Sequence, residues 1–142
     1  MTKRRPPHAK NFRTILDLTE TPWTREVCEQ LEALGVKVYV INQTVYGSKG
    51  VPDRWIIGAN YSVMVEFKDP KTEFQPRQRD VLQEGWYNCP GSVFMARRIE
   101  LTKIGRLYRG NDLEKPIAIF NGGRELDQLL RKHGTRASGV DL

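Results

Sequence analysis

Two short runs of β-forming residues flank a tight turn between positions 51 and 68, and this stretch constrains the fold more than any other. The pattern predicts a β-hairpin. Alternate residues of a strand face opposite sides, so Glu66 and Lys68 are expected on one face of the second strand and Phe67 on the other, in an apolar core. Asp53 enters the first strand and is expected to lie beside Glu66 and Lys68.

Asp53, Glu66 and Lys68 would bring two carboxylates and an ammonium into one neighbourhood. Carboxylate oxygens are the ligands that hard divalent cations prefer. A lysine beside them can hold a water molecule or stabilise developing negative charge. Metal-dependent hydrolysis of a phosphodiester needs this combination of groups. The competing interpretation is an ordinary ion pair between Glu66 and Lys68 on a solvated strand.

Three motifs follow one another along the chain, namely Gly50-Val51-Pro52-Asp53, then Glu66-Phe67-Lys68, then Gln78. This order resembles the VRR-NUC branch of the PD-(D/E)XK nuclease superfamily, as a stand-alone, phage-type member, over roughly Arg25 to Arg97. The resemblance implies an α/β fold with a restriction-endonuclease-like core, in which helices flank a central mixed β-sheet in the order αβββαβ. It also implies Mg²⁺ as the cofactor, with Mn²⁺ as a substitute.

The resemblance further implies a role for each residue of the hairpin. Asp53 and Glu66 would bind the metal, and the main-chain carbonyl of Phe67 would be a third ligand. Lys68 would position or deprotonate the attacking water, or stabilise the transition state; the sequence does not separate these roles.

A first helix is predicted to begin after an N-cap at Thr21 and to end at Gly35. In the resembled family a glutamate of this helix reaches the metal, which makes Glu26 a candidate metal ligand and catalytic residue. Glu20 and Glu29 remain alternatives, because a shift of one residue changes the match, and a plain surface carboxylate is the competing interpretation. The apolar residues at helical spacing that would pack on the sheet are Trp23, Val27, Leu31 and Leu34.

A second helix is predicted from Pro76 to about Glu84, ending at Gly85. The resemblance assigns a glutamine to this helix, and Gln78 fits better than Gln75 because Pro76 follows Gln75 directly. If the N-terminus of the helix faces the site, its free N–H groups and nearby cations would face a phosphate. The cations expected to contact nucleic acid, each of which could equally be a solvated surface group, are Lys49, Lys71, Arg77 and Arg79.

The remaining elements are read from periodicity. Residues 36–41 and 92–97 are predicted strands, and the second of these is expected to run parallel to the strand before it, through the intervening helix. Residues 99–108 fit either a helix or a strand. A short strand at 116–120 and an amphipathic helix at 124–133 are predicted to follow.

Length and charge set the outer limits. The chain has 142 residues, of which 39% are hydrophobic and 28% charged, which suits one domain. That domain is expected at 14–134, between a basic N-terminal tail at 1–13 and a flexible C-terminal tail at 135–142. The net charge of +6 favours an anionic partner such as nucleic acid, although a basic surface without a partner is the alternative.

Cysteine usage and hydropathy bear on the compartment. Cys28 and Cys89 are far apart and form no CxxC pair, so neither a zinc site nor a disulfide scaffold is indicated. No apolar run approaches membrane-spanning length, and no Walker-type glycine-rich loop is present. We therefore expect a cytoplasmic protein with neither a membrane partner nor a nucleotide cofactor. The resemblance implies that a phage or a bacterium encodes it.

Taken with the resemblance, these features predict a structure-selective DNA endonuclease, and specifically a Holliday-junction resolvase that acts as a homodimer on branched DNA. Two alternatives stay open. One is a nuclease of the same chemistry that acts on flaps, nicks or free ends. The other is a non-catalytic nucleic-acid-binding protein in which the charged residues of the hairpin form a structural ion pair.

Overall fold

The structure is a computed structural model that describes residues 21–41 and 50–135. Nine elements follow one another along these residues: α1 (Pro22–Ala33), β1 (Lys37–Val40), β2 (Arg54–Gly58), β3 (Tyr61–Lys68), α2 (Pro76–Asn88), β4 (Val93–Arg98), β5 (Ile104–Arg109), β6 (Ala118–Asn121) and α3 (Gly123–His133). The predicted order αβββαβ is confirmed, and β5, β6 and α3 extend it. The predicted N-terminal tail and residues 136–142 lie outside the described residues.

The strands form one mixed sheet in the order β1-β2-β3-β4-β5-β6. Strands β3 and β4 are parallel and are connected through α2, as predicted, while every other neighbouring pair is antiparallel. The β2–β3 hairpin turns at Ala59 and Asn60, and Asn60 has a positive φ of 68°. Asparagine tolerates this left-handed conformation better than most residues, which suits it to a tight turn. The segment 99–108, which fitted either a helix or a strand, contains all of β5 except Arg109.

The main apolar core lies between one face of the sheet and helices α1 and α3. Phe67 belongs to it and contacts Trp23 of α1 in an edge-to-face arrangement, with ring centroids 5.8 Å apart. Because side chains alternate along β3, burying Phe67 in this core directs Glu66 and Lys68 to the opposite face. Helix α2 lies on that opposite face, where Gly85 packs against Val93 of β4.

Helix α1 begins as predicted, with the Thr21 hydroxyl accepting a hydrogen bond from the main-chain N–H of Thr24 at 3.2 Å. The predicted apolar stripe is correct at Trp23, Val27 and Leu31, all of which are buried. It is wrong at Leu34, which is 39% exposed. The reason is that the helix ends at Ala33, so Leu34 is the C-cap residue and no longer follows the helical periodicity.

Helix α2 is longer than predicted and ends at Asn88 rather than at Gly85. A glycine often ends a helix because it allows the chain to turn. Gly85 instead allows α2 to pack closely against β4. A Cβ atom at this position would lie only 2.8 Å from Cγ2 of Val93. Gly85 therefore lets the middle of the helix approach β4, and the helix continues past it.

A polar network centred on the buried Asp127 ties α3 to the hairpin. The Tyr61 hydroxyl donates a hydrogen bond of 2.7 Å to Oδ1 of Asp127, and Arg131 pairs with Oδ2 of Asp127 at 2.8 Å. The main chain after α3 is also fixed, because Thr135 donates to the carbonyl of Gly91 and accepts from the N–H of Ser62. These contacts hold the start of β3 in place.

Candidate active site

The hairpin brings Asp53 and Glu66 into direct register. The main-chain N–H of Asp53 donates to Oε1 of Glu66 at 3.1 Å, and the main-chain N–H of Phe67 donates to Oδ1 of Asp53 at 3.2 Å. Each carboxylate is thus held by the main chain of the other strand. Since a carboxylate has about four acceptor positions, each retains further capacity to bind. This reciprocal arrangement fixes both groups at one end of the β2–β3 ladder.

Lys68 and Gln78 complete the cluster. The Lys68 ammonium donates to Oε1 of Gln78 at 3.0 Å and lies 3.7 Å from Oε2 of Glu66. The amide nitrogen of Gln78 reaches the same Glu66 oxygen at 3.4 Å, and its Oε1 accepts from the N–H of Gln75 at 3.0 Å. Gln78 therefore connects the first turn of α2 to both charged residues of β3, in the position that its place in the sequence indicated.

The site disfavours negative charge when it holds only protein groups. Burial, followed by the charge of Asp53, raises the pKa of Glu66 to about 8, while Lys68 acts in the opposite direction. Burial also raises the pKa of Asp53 to about 6, against the lowering effect of Arg54. The two carboxylates repel each other when both are ionised. A bound cation would relieve that repulsion.

The protein oxygens of this site suit Mg²⁺ better than they suit a metal ion whose ligands all come from the protein. In residues 21–41 and 50–135 no group of three or more His, Cys, Asp or Glu side chains could hold a metal ion. The site offers two carboxylates, and Mg²⁺ characteristically uses one or two carboxylates together with waters and substrate phosphates. The residues present therefore fit a Mg²⁺ ion that completes its coordination with water and a substrate oxygen.

Two residues that the sequence analysis did not single out organise the segment after β3. The guanidinium of Arg97 donates to the carbonyls of Asp69 and Thr72, each at 2.7 Å. The Phe74 ring lies close to three cations, with its centroid 4.9 Å from Nζ of Lys68, 5.6 Å from Cζ of Arg97 and 5.7 Å from Cζ of Arg79.

A sequence signal for Arg97 did exist. Parallel pairing through α2 places the end of β4 beside the end of β3, and Arg97 is in register with Lys68. Phe74 offered a weaker signal, as the lone aromatic residue of the polar segment between β3 and α2. Together they hold that segment against the buried lysine.

The approach to Asp53 depends on two further features. Gly50 has a positive φ of 88°, and a Cβ atom there would lie 2.8 Å from the main-chain oxygen of Arg77. Glycine therefore lets the chain that leads into Asp53 lie directly against the start of α2. The guanidinium of Arg54 is buried, donates to the carbonyl of Asp53 at 3.0 Å and lies 3.7 Å from Oδ2 of Asp53.

The other predicted site residues fall at different places. Glu26 forms an exposed ion pair of 3.2 Å with Lys103, just before β5, and does not belong to the hydrogen-bonded cluster described above. Its alternative Glu29 is exposed on α1. Glu20 and Lys49 lie outside the described residues. The assignment of a first-helix glutamate to the metal stays a prediction.

Lys71, Arg77 and Arg79, which were predicted to contact nucleic acid, are all exposed near the start of α2. Lys71 pairs with Glu100 at 3.2 Å, and both side chains are more than half exposed. Arg79 lies over Phe74, and Arg77 provides the main-chain contact with Gly50. Their contact with DNA stays a prediction.

The chain has a restriction-endonuclease-like fold, as predicted. It is similar to a solved structure of the Holliday junction resolvase Hjc from the archaeal hyperthermophile Archaeoglobus fulgidus, with a TM-score of 0.55 and 12% sequence identity. The likeness covers 78% of this chain and 99% of the resolvase chain. No protein-family model and no curated protein matches the sequence. Among the described residues, no helix is both long and apolar enough to cross a bilayer.

Proposed function

We propose that this protein is a Mg²⁺-dependent DNA endonuclease of the PD-(D/E)XK superfamily, in its VRR-NUC branch, and that it resolves Holliday junctions. The observation that carries the proposal is the single hydrogen-bonded cluster of Asp53, Glu66, Lys68 and Gln78. The four residues come from the start of the hairpin directly before β2, from β3 and from α2, in the order that the nuclease motif requires. The shared fold with an archaeal junction resolvase supports the same function.

Asp53 and Glu66 would hold the metal, with the Phe67 carbonyl as a further ligand. When bound, Mg²⁺ would lower the pKa of a coordinated water and neutralise charge on the phosphate. Glu26 would serve as an outer or second-metal ligand only if its pair with Lys103 opens. Such an opening costs little, because exposed ion pairs contribute only about 0–1 kcal/mol.

Lys68 would act on the attacking water or on the charged transition state. Its ammonium is buried, and Gln78 and Glu66 hold it in position, so its charge acts in a site from which bulk water is largely excluded. Gln78 orients Lys68 and Glu66 together, which makes it a positioning residue. A pre-oriented ammonium needs no rearrangement as negative charge develops on the phosphate.

The substrate proposed is branched DNA, and the active form proposed is a homodimer. The full chain is net basic, and the sequence shows no recognition helix for reading base edges. Selection by DNA shape is therefore favoured over selection by sequence. A two-fold symmetric dimer would present two identical sites to opposing strands of a four-way junction.

The test is a cleavage assay on a set of labelled DNA structures. The purified protein is incubated with an immobile four-way junction, the matched linear duplex, a flap and a single strand, with Mg²⁺ or with EDTA. We expect paired nicks near the branch point of the junction in Mg²⁺ and none in EDTA. Asp53→Ala should abolish cleavage and retain the wild-type circular dichroism spectrum.

Other outcomes would redirect the proposal in defined ways. Cleavage of flaps or free ends in preference to junctions would retain the nuclease and replace its substrate. Binding of DNA by a folded protein that cleaves none of the substrates in Mg²⁺ or Mn²⁺ would overturn the nuclease assignment in favour of a binding protein.

A further inference from the structure

A pair of exposed aromatic side chains lies at the β1 end of the sheet. Tyr39 of β1 is directly opposite Trp55 of β2, and their ring centroids are 5.5 Å apart at an interplanar angle of 39°. Tyr39 is 49% exposed and Trp55 is 40% exposed. The indole N–H of Trp55 donates to the hydroxyl of Ser62 at 2.9 Å, which fixes the orientation of the larger ring.

This aromatic pair shares a sheet face with the candidate active site. Trp55 is opposite Met64 of β3, and Met64 and Glu66 face the same way because they are two residues apart. Along its own strand Trp55 is two residues beyond Asp53, a separation of about 7 Å in extended chain. The aromatic surface therefore continues directly from the carboxylates.

The exposed area is too small for a stable contact between two protein chains. Large aromatic side chains present about 150–250 Å² each, so the exposed fractions of Tyr39 and Trp55 leave roughly 200 Å² between them. A stable protein interface buries about 800 Å² on each partner. An exposed area of this size instead matches the face of one or two planar rings, either in a small ligand or in an unstacked group of a larger one.

We propose that Tyr39 and Trp55 form a stacking platform for an unpaired nucleobase next to the phosphodiester that is cleaved. The inference rests on the proposed function, since it takes DNA as the ligand, and it narrows the substrate to DNA in which a base near the scissile phosphate is unpaired or displaced. Every base has an aromatic face, so stacking is tolerant of sequence. Lys37, exposed on the same face of β1, adds a positive charge for the adjoining backbone.

The experiment measures DNA binding in EDTA, where hydrolysis is blocked. Three labelled DNAs are compared, namely a short single strand, a duplex with one unpaired adenine, and the same duplex fully paired. Trp55→Leu is expected to weaken binding of the first two about tenfold or more and to change binding of the paired duplex little. Trp55→Phe keeps an aromatic ring and should retain most of the affinity.

Tyr87→Leu is the matched control, because Tyr87 is an aromatic residue of α2 that is 73% exposed and is not part of the platform. It should bind all three DNAs as the wild type does. A second readout replaces the unpaired adenine with 2-aminopurine, whose fluorescence falls on stacking. The wild type should quench it and Trp55→Leu should not. Thermal denaturation of each variant verifies that it is folded.

The outcomes separate this inference from the proposed function. The platform proposal would be overturned if the wild type and Trp55→Leu bound unpaired DNA with equal affinity. It would also be overturned if Trp55→Leu lost affinity equally for paired and unpaired DNA. Loss of self-association in Trp55→Leu, measured by sedimentation, with unchanged DNA binding would assign the pair to a protein interface instead. Wild-type protein that shows the stacking effect but never cleaves DNA in Mg²⁺ would overturn the nuclease and leave Tyr39 and Trp55 as a platform for DNA binding alone. Wild-type protein that binds no DNA would overturn both proposals.

Discussion

Ionisation of Glu66 is predicted to make the metal-free protein less stable as pH rises. Its pKa is about 8 in the folded protein, compared with an ordinary value of 4.5. Below pH 4.5 both the folded and the unfolded chain hold the proton. Between 4.5 and about 8 the unfolded chain has released the proton and the folded protein keeps it, so the free energy of unfolding falls with rising pH. Above about 8 both states are ionised and the dependence ends.

The magnitude follows from the separation of the two pKa values. At about 1.4 kcal/mol per pKa unit, the difference between 4.5 and about 8 sets an upper value of ~5 kcal/mol. Asp53 titrates together with Glu66, and its own pKa is raised to about 6, so it adds to the fall at the acid end of the range. We expect the wild type to lose roughly 2–5 kcal/mol of unfolding free energy across this range. Added Mg²⁺ should restore much of that loss at the alkaline end, because it would bind the ionised pair.

The assay is urea denaturation followed by circular dichroism, in EDTA and at constant ionic strength, from about pH 5 to about pH 9. Glu66→Gln has no proton to lose at this position, so its unfolding free energy should depend on pH much less than that of the wild type. Glu100→Gln is the control, since it removes a carboxylate that is 52% exposed, and should follow the wild type. Parallel pH profiles for the wild type and Glu66→Gln would refute the reasoning.

Two further predictions concern the supports of the site, and both are measured by urea denaturation. Gly50→Ala should cost about 1–3 kcal/mol, because the φ of 88° is strained for alanine and the new Cβ would meet the Arg77 main chain. Gly35→Ala has the same φ of 88° with no atom within 4 Å, so it should cost less, and equal losses would show that the contact with Arg77 is unimportant. Tyr61→Phe should cost about 1–3 kcal/mol by removing the hydrogen bond to the buried Asp127, and an unchanged stability would contradict that role.

The hairpin was predictable because its signals are local. Alternation along β3 determines which face each side chain takes, so burying Phe67 among apolar residues places Glu66 and Lys68 together on the other face. The choice of Gln78 over Gln75 likewise depended only on the proline that opens α2. In both cases the residues that decide the geometry lie within a few positions of the residues that they direct.

The remaining features depend on contacts between distant segments. Arg97 reaches the segment after β3 because β4 pairs in parallel with β3. The parallel pairing was predictable, but the register that places Arg97 opposite Lys68 was not. Gly85 looked like a helix end because sequence alone does not reveal that Val93 packs against it. The surroundings of Glu26 depend on how α1 crosses the sheet, which the sequence does not reveal. In the structure Glu26 forms an ion pair with Lys103.

The proposed function requires the buried Lys68 ammonium to take part in metal-dependent cleavage of a phosphodiester. The most direct test is single-turnover cleavage of a labelled four-way junction in Mg²⁺ by the wild type, Lys68→Ala and the control Lys132→Ala, which removes an exposed lysine of α3. We expect a rate at least about 100-fold lower for Lys68→Ala, with the fold and junction binding retained, and a wild-type rate for Lys132→Ala. A folded Lys68→Ala protein that cleaves the junction at the wild-type rate would contradict it.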